Sequence, residues 1–242
     1  GTSVGPFCFV GSKVRLGQNV ELKSHVVIKG DTFLGDENTV FPFAVLGEIP
    51  QDKKFNGEST SLKIGNRNQI REHVTINVGT KGGGGITKVG NDGLFMAGCH
   101  IAHDAQVGDN VILVNNASLA GHCIIEDNVI VGGLSGVHQF VRIGEGAIIG
   151  AVTMVTNDVI PYGLVQAPRG ELDGLNLVGL KRKGVPRADI MALRAAFQTL
   201  SQGDGTFQDR AQKLTDDSDS EYVEKIVSFV LGHSDRSFLT PR

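Results

Sequence analysis

Apolar residues recur at every sixth position from Val4 through Val10, Leu16, Leu22, Ile28, Leu34 and Val40 to Leu46. The series resumes at Ile64, Ile70 and Ile76. It then runs from Val89 through Phe95, Ile101, Val107, Leu113, Leu119, Ile125, Val131, Val137, Ile143 and Ile149 to Val155. Glycine often follows the apolar residue, as at Gly17, Gly35, Gly65, Gly90 and Gly108, and a small or β-branched residue stands four places after it, as at Cys8, Val14, Ala44, Ala105 and Ala117. A period of six matches neither the 3.6 of a helix nor the alternation of a simple strand. It matches a short strand followed by a corner. Three such units close a triangular coil of 18 residues whose apolar positions point into a narrow prism, buried only when coils stack. Coils then lie roughly 4.8 Å apart, so residues 18 apart become vertical neighbours.

Two interruptions break the register, one containing IPQDKKF near 47–62 and one containing TKGGGG near 79–88. Insertions in a solenoid become external loops, where function collects. The β-solenoid is expected over 1–162. After Val155 the register fails, and Pro161 and Pro168 mark a linker and basic turn over 163–185. A helical C-terminal domain over 186–242 follows. Ile190, Leu193, Ala196, Phe197 and Leu200 are spaced for a helix opening at Pro186, and a second helix is expected near Glu221 to Leu231. Between them, DDSDS reads as a solvated turn.

Composition adds a demand for small side chains: 33 glycines, 6% aromatic residues and no tryptophan. With 23 basic against 26 acidic side chains, no global field draws the chain to nucleic acid or an anionic membrane. No apolar run approaches the roughly 20 residues of a membrane-spanning helix. Cys8, Cys99 and Cys123 form no CxxC pair and occupy the inward small position of their hexads, so they read as core residues in a reducing compartment.

Five of the seven histidines, His73, His100, His103, His122 and His138, fall in one stretch. The 18-residue rule puts His103, Gly121 and Gln139 in one column, with Asp104 and His122 in the next. No GxSxG elbow is present, and Ser135 takes an inward position, so covalent serine chemistry has little support. Direct transfer from an already activated acyl donor needs a base for an alcohol or amine and a donor for the oxyanion. Imidazole suits the first task, and the N–H of Gly121 suits the second. Zinc competes for these histidines, but the pair spacing used by β-helical carbonic anhydrases is missing, so no metal is expected. The run Gly82 to Gly85 lacks the GKS ending of a phosphate loop.

The hexapeptide pattern resembles the left-handed parallel β-helix of hexapeptide-repeat acyltransferases, and the hand comes from that resemblance. HIAHDAQVG, NNASLAGH, VHQF and GLKRKG make the chain similar, over nearly its whole length, to the UDP-N-acetylglucosamine O-acyltransferases of the first step of lipid A biosynthesis. The resemblance implies transfer of an (R)-3-hydroxyacyl chain from acyl carrier protein to the 3-hydroxyl of UDP-N-acetylglucosamine, without a cofactor, in a homotrimer with sites between subunits. It implies His103 as base, Asp104 as its orienting neighbour and Gly121 as oxyanion donor. Asp52, Lys54 and His122 would hold the sugar, and His100 would line the cleft. His138, Gln139, Asn176 and Arg182 would bind the nucleotide and its diphosphate, and Ala151 would limit acyl-chain length.

Arg169 and Val178 stand where the bacterial pattern has a histidine and an acid, and Ala151 suggests a chain somewhat shorter than a glycine would allow. The chain opens on Gly1, about one coil later than that pattern, which leaves a bacterial cytoplasmic enzyme and a trimmed plant mitochondrial homologue as the two expectations of place. The alternatives are another acceptor on the same fold or a non-catalytic scaffold. An N-acyltransferase of the same pathway would carry an extra N-terminal uridine-binding domain.

Overall fold

The computed structural model describes every residue except 167, 169, 203, 216–218 and 242. Arg169 and the first three residues of DDSDS therefore lie outside the described residues. The hexads form two-residue strands joined by corners, and the strands stack into three sheets that make the walls of a left-handed, triangular β-helix. One wall runs from Ser3–Val4 to Gly163–Gln166 and Glu171–Leu175, the second from Phe9–Val10 to Met154–Val155, and the third from Arg15–Leu16 to Arg142–Ile143. Pairing between successive coils is parallel and in the expected register, as in Ser3 with Glu21 and His100 with Ser118. The inward residues Leu22, Ile28, Leu34, Ile70, Ile101, Leu119 and Ile149 are almost fully shielded from solvent. Each such side chain contributes about 1.5–3 kcal/mol when buried.

The recurrent glycine after the apolar residue has a steric cause at one edge. There the Oδ1 atoms of Asp36, Asn66, Asn91, Asp109 and Asp127 accept hydrogen bonds from the backbone one coil below, at 2.6–2.8 Å. A Cβ on Gly17, Gly35, Gly65, Gly90 or Gly108 would lie 2.2–2.5 Å from those oxygens.

Both interruptions leave the helix at another edge, between the second wall and the third. The first lies between strands Val45–Glu48 and Ser61–Ile64. The second lies between Thr75–Asn77 and Ile86–Val89 and holds a short 3-10 turn, Lys81–Gly83. Pairing absorbs them: Phe33 meets Lys63 and Lys63 meets Lys88, steps of 30 and 25 residues in place of 18. The strands flanking His103 and Asp104, His100–Ile101 and Gln106–Val107, belong to these same two walls. The histidine column and both loops therefore share one edge.

Beyond the solenoid the structure corrects one expectation. Residues 163–185 are not a linker. Gly163–Gln166 extends the first wall against Ile148–Ile149 and turns back antiparallel on Glu171–Leu175. Val165, Leu172 and Leu175 bury their side chains there, in a hairpin that the two prolines disguise. Helix α1, Leu177–Arg182, follows with Asn176 capping it. Helices α2, Arg187–Ser201, and α4, Glu221–Leu231, occupy the helical segments. Between them stands α3, Phe207–Lys213, which the spacing of apolar residues did not suggest. Its signal is the capping box of Thr206 and Asp209, each side chain bonded to the other's backbone.

Candidate active site

At the loop-bearing edge, corner residues Asp104, His122 and Phe140 adopt φ of 61°, 60° and 67°, one above another in successive coils. That backbone turns their side chains, and those of the residues just before them, toward the two loops. His103 is 8% exposed and Asp104 3%. His103 Nδ1 lies 2.8 Å from Asp104 Oδ2. The carboxylate accepts, so Nδ1 carries the proton and the lone pair on Nε2 is left for chemistry.

A buried carboxylate needs donors, and the glycine-rich loop supplies them. The Thr80 N–H donates to Asp104 Oδ1 at 2.8 Å, and the Thr80 hydroxyl donates to Oδ2 at 2.6 Å. The Asp104 N–H donates in turn to Thr87 Oγ1 at 2.8 Å. Gly83 closes over the same group, for a Cβ there would lie 2.1 Å from Asp104 Cγ. The run TKGGGG is a clasp on Asp104 and not a free external loop.

Gly121 lies against the imidazole. A Cβ on it would be 2.5 Å from His103 Cε1, so glycine is what leaves room for the ring against the coil above. His122 meets His103 edge to face, with centroids 5.0 Å apart, and stacks on Phe140 at 4.5 Å. Its Nε2 is 3.8 Å from Asp104 Oδ2. Burial lowers the His122 pKa, with His103 acting in the same direction and Asp104 and Asp52 opposing. Burial, then the neighbouring His103, also lowers the pKa of His100, whose Nδ1 is 2.7 Å from Thr75 Oγ1.

A cleft of about 690 Å³ opens above this group, lined by Asp52, Lys54, Asn77, His100, His103, Ser118, Gly121 and Gln139 among others. A second cleft of about 1030 Å³ on the far side of the first loop shares Asp52, Lys54 and Gln139 and is floored by Thr80, His122 and Phe140. The chain thus brings together His103, Asp104, Gly121, His122, His100, Gln139, Asp52 and Lys54. It does not bring His138, Asn176, Arg182 or Ala151 into either cleft. His138 is exposed with Nδ1 toward Arg236, Arg182 and Ala151 are exposed, and Asn176 caps α1 while bonding the Gly146 carbonyl. His73 stacks on Phe43 at a different edge.

Thr80, Thr87, Thr75 and Asn77 escaped the sequence reading. The 18-residue rule could not find Thr80, which sits in the second insertion and reaches Asp104 only because that loop folds back onto it. His103, Asp104 and His122 offer ligand atoms within 4.8 Å of one another, but both Asp104 oxygens are already committed to Thr80 and His103. Cys99 and Cys123 are buried in the prism, and burial pushes their thiols up to about 11 and about 12.

A left-handed β-helix of hexapeptide repeats with a buried His–Asp pair at its loop-bearing edge defines an acyltransferase of the hexapeptide-repeat class. Residues 158–239 match the family model described as UDP N-acetylglucosamine O-acyltransferase, domain 2. The chain is 66% identical over 202 residues, 84% of its length and 77% of the relative's, to the acyl-[acyl-carrier-protein]–UDP-N-acetylglucosamine O-acyltransferase of Paracoccus denitrificans. It is 45% identical over 237 residues, 98% of its length and 87% of the relative's, to that of Rhizobium johnstonii. The solved structure of LpxA from Acinetobacter baumannii superposes with a TM-score of 0.96 at 36% identity, covering 98% of this chain and 93% of that one. The chain belongs to the UDP-N-acetylglucosamine O-acyltransferase family.

Proposed function

We propose that the protein transfers an (R)-3-hydroxyacyl chain from acyl carrier protein to the 3-hydroxyl of UDP-N-acetylglucosamine, the first step of lipid A biosynthesis. The observation that carries this reading is the His103–Asp104 pair, buried beneath a cleft, with Nδ1 committed to the carboxylate. His103 Nε2 removes the proton of the sugar hydroxyl as its oxygen attacks the thioester carbon. Asp104 holds the tautomer and stabilises the imidazolium. Gly121 N–H, which bonds no backbone carbonyl among the described residues, donates to the oxyanion. The tetrahedral intermediate collapses, the C–S bond breaks, and the departing thiolate takes the proton back from His103. The thioester supplies the activation, so the reading requires no cofactor or metal.

Asp52, Lys54 and His122 hold the sugar, and His100 lines the cleft. His138, Gln139, Asn176 and Arg182 take the nucleotide and its diphosphate, for which the Arg182 guanidinium is well shaped. Asn176 and Arg182 line neither cleft of their own chain, which supports a homotrimer whose sites lie between subunits. No helix among the described residues is long and apolar enough to cross a membrane, and the bacterial relatives support a place in the bacterial cytoplasm.

The test is transfer from a series of 3-hydroxyacyl carrier proteins to UDP-N-acetylglucosamine, with wild type and His103→Ala compared at matched folding. Loss of a general base lowers the rate by about 10²–10⁴-fold. A folded wild type that transfers from none of these donors sinks the assignment, and an unaffected His103→Ala points to a scaffold.

A further inference from the structure

Residues 234–239 form a strap that follows α4 and returns to the solenoid, tied there at Asp158, which is fully buried. The Asp158 N–H donates to the Ser237 carbonyl at 2.8 Å, and the Leu239 N–H donates to the Asp158 carbonyl at 2.7 Å. Its carboxylate accepts from the Ser234 hydroxyl at 2.5 Å and from Arg142 Nε at 2.7 Å. This docking sets Arg236 against the corner 138–140. Arg236 Nε–H donates to the Gln139 carbonyl at 3.1 Å, and Nη2 lies 2.8 Å from His138 Nδ1.

A guanidinium only donates, so His138 Nδ1 accepts, the ring is neutral, and its proton sits on Nε2. The Gln139 carbonyl lies 3.2 Å from the same Nδ1. That oxygen only accepts, and by itself it would favour the opposite tautomer, with the proton on Nδ1. Arg236 therefore decides between the two. The corner it grips carries Gln139, which lines both clefts, and Phe140, on which His122 stacks.

We propose that Arg236 is a positioning residue of the acyl-transfer site, holding the 138–140 corner and presenting His138 Nε2–H as a donor to phosphate oxygens of the nucleotide sugar. The substrate half of this inference rests on the function proposed above; the tautomer half does not. The strap thereby makes the C-terminal domain part of the nucleotide site and not only a cap on the solenoid.

The experiment combines kinetics with nitrogen NMR of ¹⁵N-histidine-labelled full-length protein, His138 being assigned through the signal missing in His138→Gln. Wild type shows the Nε2–H pattern at His138. In Arg236→Ala the pattern changes to Nδ1–H, and KM for UDP-N-acetylglucosamine rises roughly tenfold, as the loss of one hydrogen bond to a charged group implies, while kcat is held. Arg236→Lys keeps a donor for Nδ1 and recovers most of the KM. Ser234→Ala loosens the strap without removing the guanidinium and serves as the control for docking alone. An unchanged His138 tautomer in Arg236→Ala overturns the proposal, as does a KM rise of equal size in Ser234→Ala with the tautomer intact. A wild type without transferase activity strikes the function alone, and the NMR comparison still decides the tautomer.

Discussion

Replacing Thr80 by valine removes one donor from Asp104 and little else. The two side chains share a branched shape, and Thr80 has extended backbone angles, φ −118° and ψ 156°, that valine adopts without strain. The Thr80 N–H bond to Oδ1 remains, while the 2.6 Å hydroxyl bond to Oδ2 is lost. Oδ2 is the oxygen that also faces His103 Nδ1, so a change there alters the group that sets the imidazole. A hydrogen bond to a charged, buried partner contributes about 1.5–3 kcal/mol. If that loss is felt in the transition state, kcat falls about ten- to a hundredfold. The assay is steady-state transfer from a 3-hydroxyacyl carrier protein, with thermal melting run alongside to separate a misplaced dyad from a loosened loop. Thr80→Ser, which keeps the hydroxyl, should retain most of the rate. A Thr80→Val enzyme within twofold of wild type would refute the view that the glycine-rich loop works through Asp104.

Gly121→Ala would place a methyl 2.5 Å from His103 Cε1; a shift of the ring by an ångström lowers kcat on the order of a hundredfold, and retained activity would argue against His103 as base. His100 titrates below its ordinary value of 6.5 because it is buried, so the unfolded chain binds its proton more readily. The stability that neutral His100 contributes is then complete above about pH 6.5 and is lost as pH falls toward the lower folded value. Denaturant melts across that window should flatten in His100→Gln; an unchanged slope would place the effect elsewhere. Under competition between donors, Ala151→Gly is expected to favour longer acyl chains and Ala151→Met shorter ones, and identical preferences in all three proteins would remove Ala151 from the acyl pocket. Cys99 and Cys123, with thiols pushed up to about 11 and about 12, should resist alkylation of the native protein at neutral pH, and rapid labelling would contradict their burial.

The solenoid was legible because its burial rule is local: one apolar residue per hexad, repeated until Val155, fixes walls, coils and vertical neighbours together. The same rule puts Gly121 over His103 and His122 over Asp104. What it could not place lies where the period changes. Thr80 belongs to an insertion, and the distance from a looped-out residue to the site depends on how the loop folds back, here onto the Asp104 carboxylate. The strand pair at 163–175 was hidden because its register shifts and its buried residues keep no single period, and α3 because its seven residues are too few for a helical period to stand out. Arg236 is 97 residues from the carbonyl it holds, and no repeat relates a C-terminal strap to a solenoid corner.

A left-handed backbone at a non-glycine residue often marks strain held for function, but here that reading fails for most of the chain. Asp104, His122 and Phe140 share their φ, near 60°, with Asn19, Asn110 and Asn128 at an edge that faces neither cleft. The corner is a property of the fold, repeated in coil after coil, and asparagine or aspartate fills it most easily. What distinguishes the active edge is which side chains the corner carries. Asp104 fits the backbone and the chemistry at once, His122 tolerates the backbone, and Phe140 accepts an unfavourable conformation where its ring can lie on His122. Two loops inserted at that same edge then enclose what the corner presents, so a structural repeat becomes a site by insertion and substitution while its corners keep their backbone conformation.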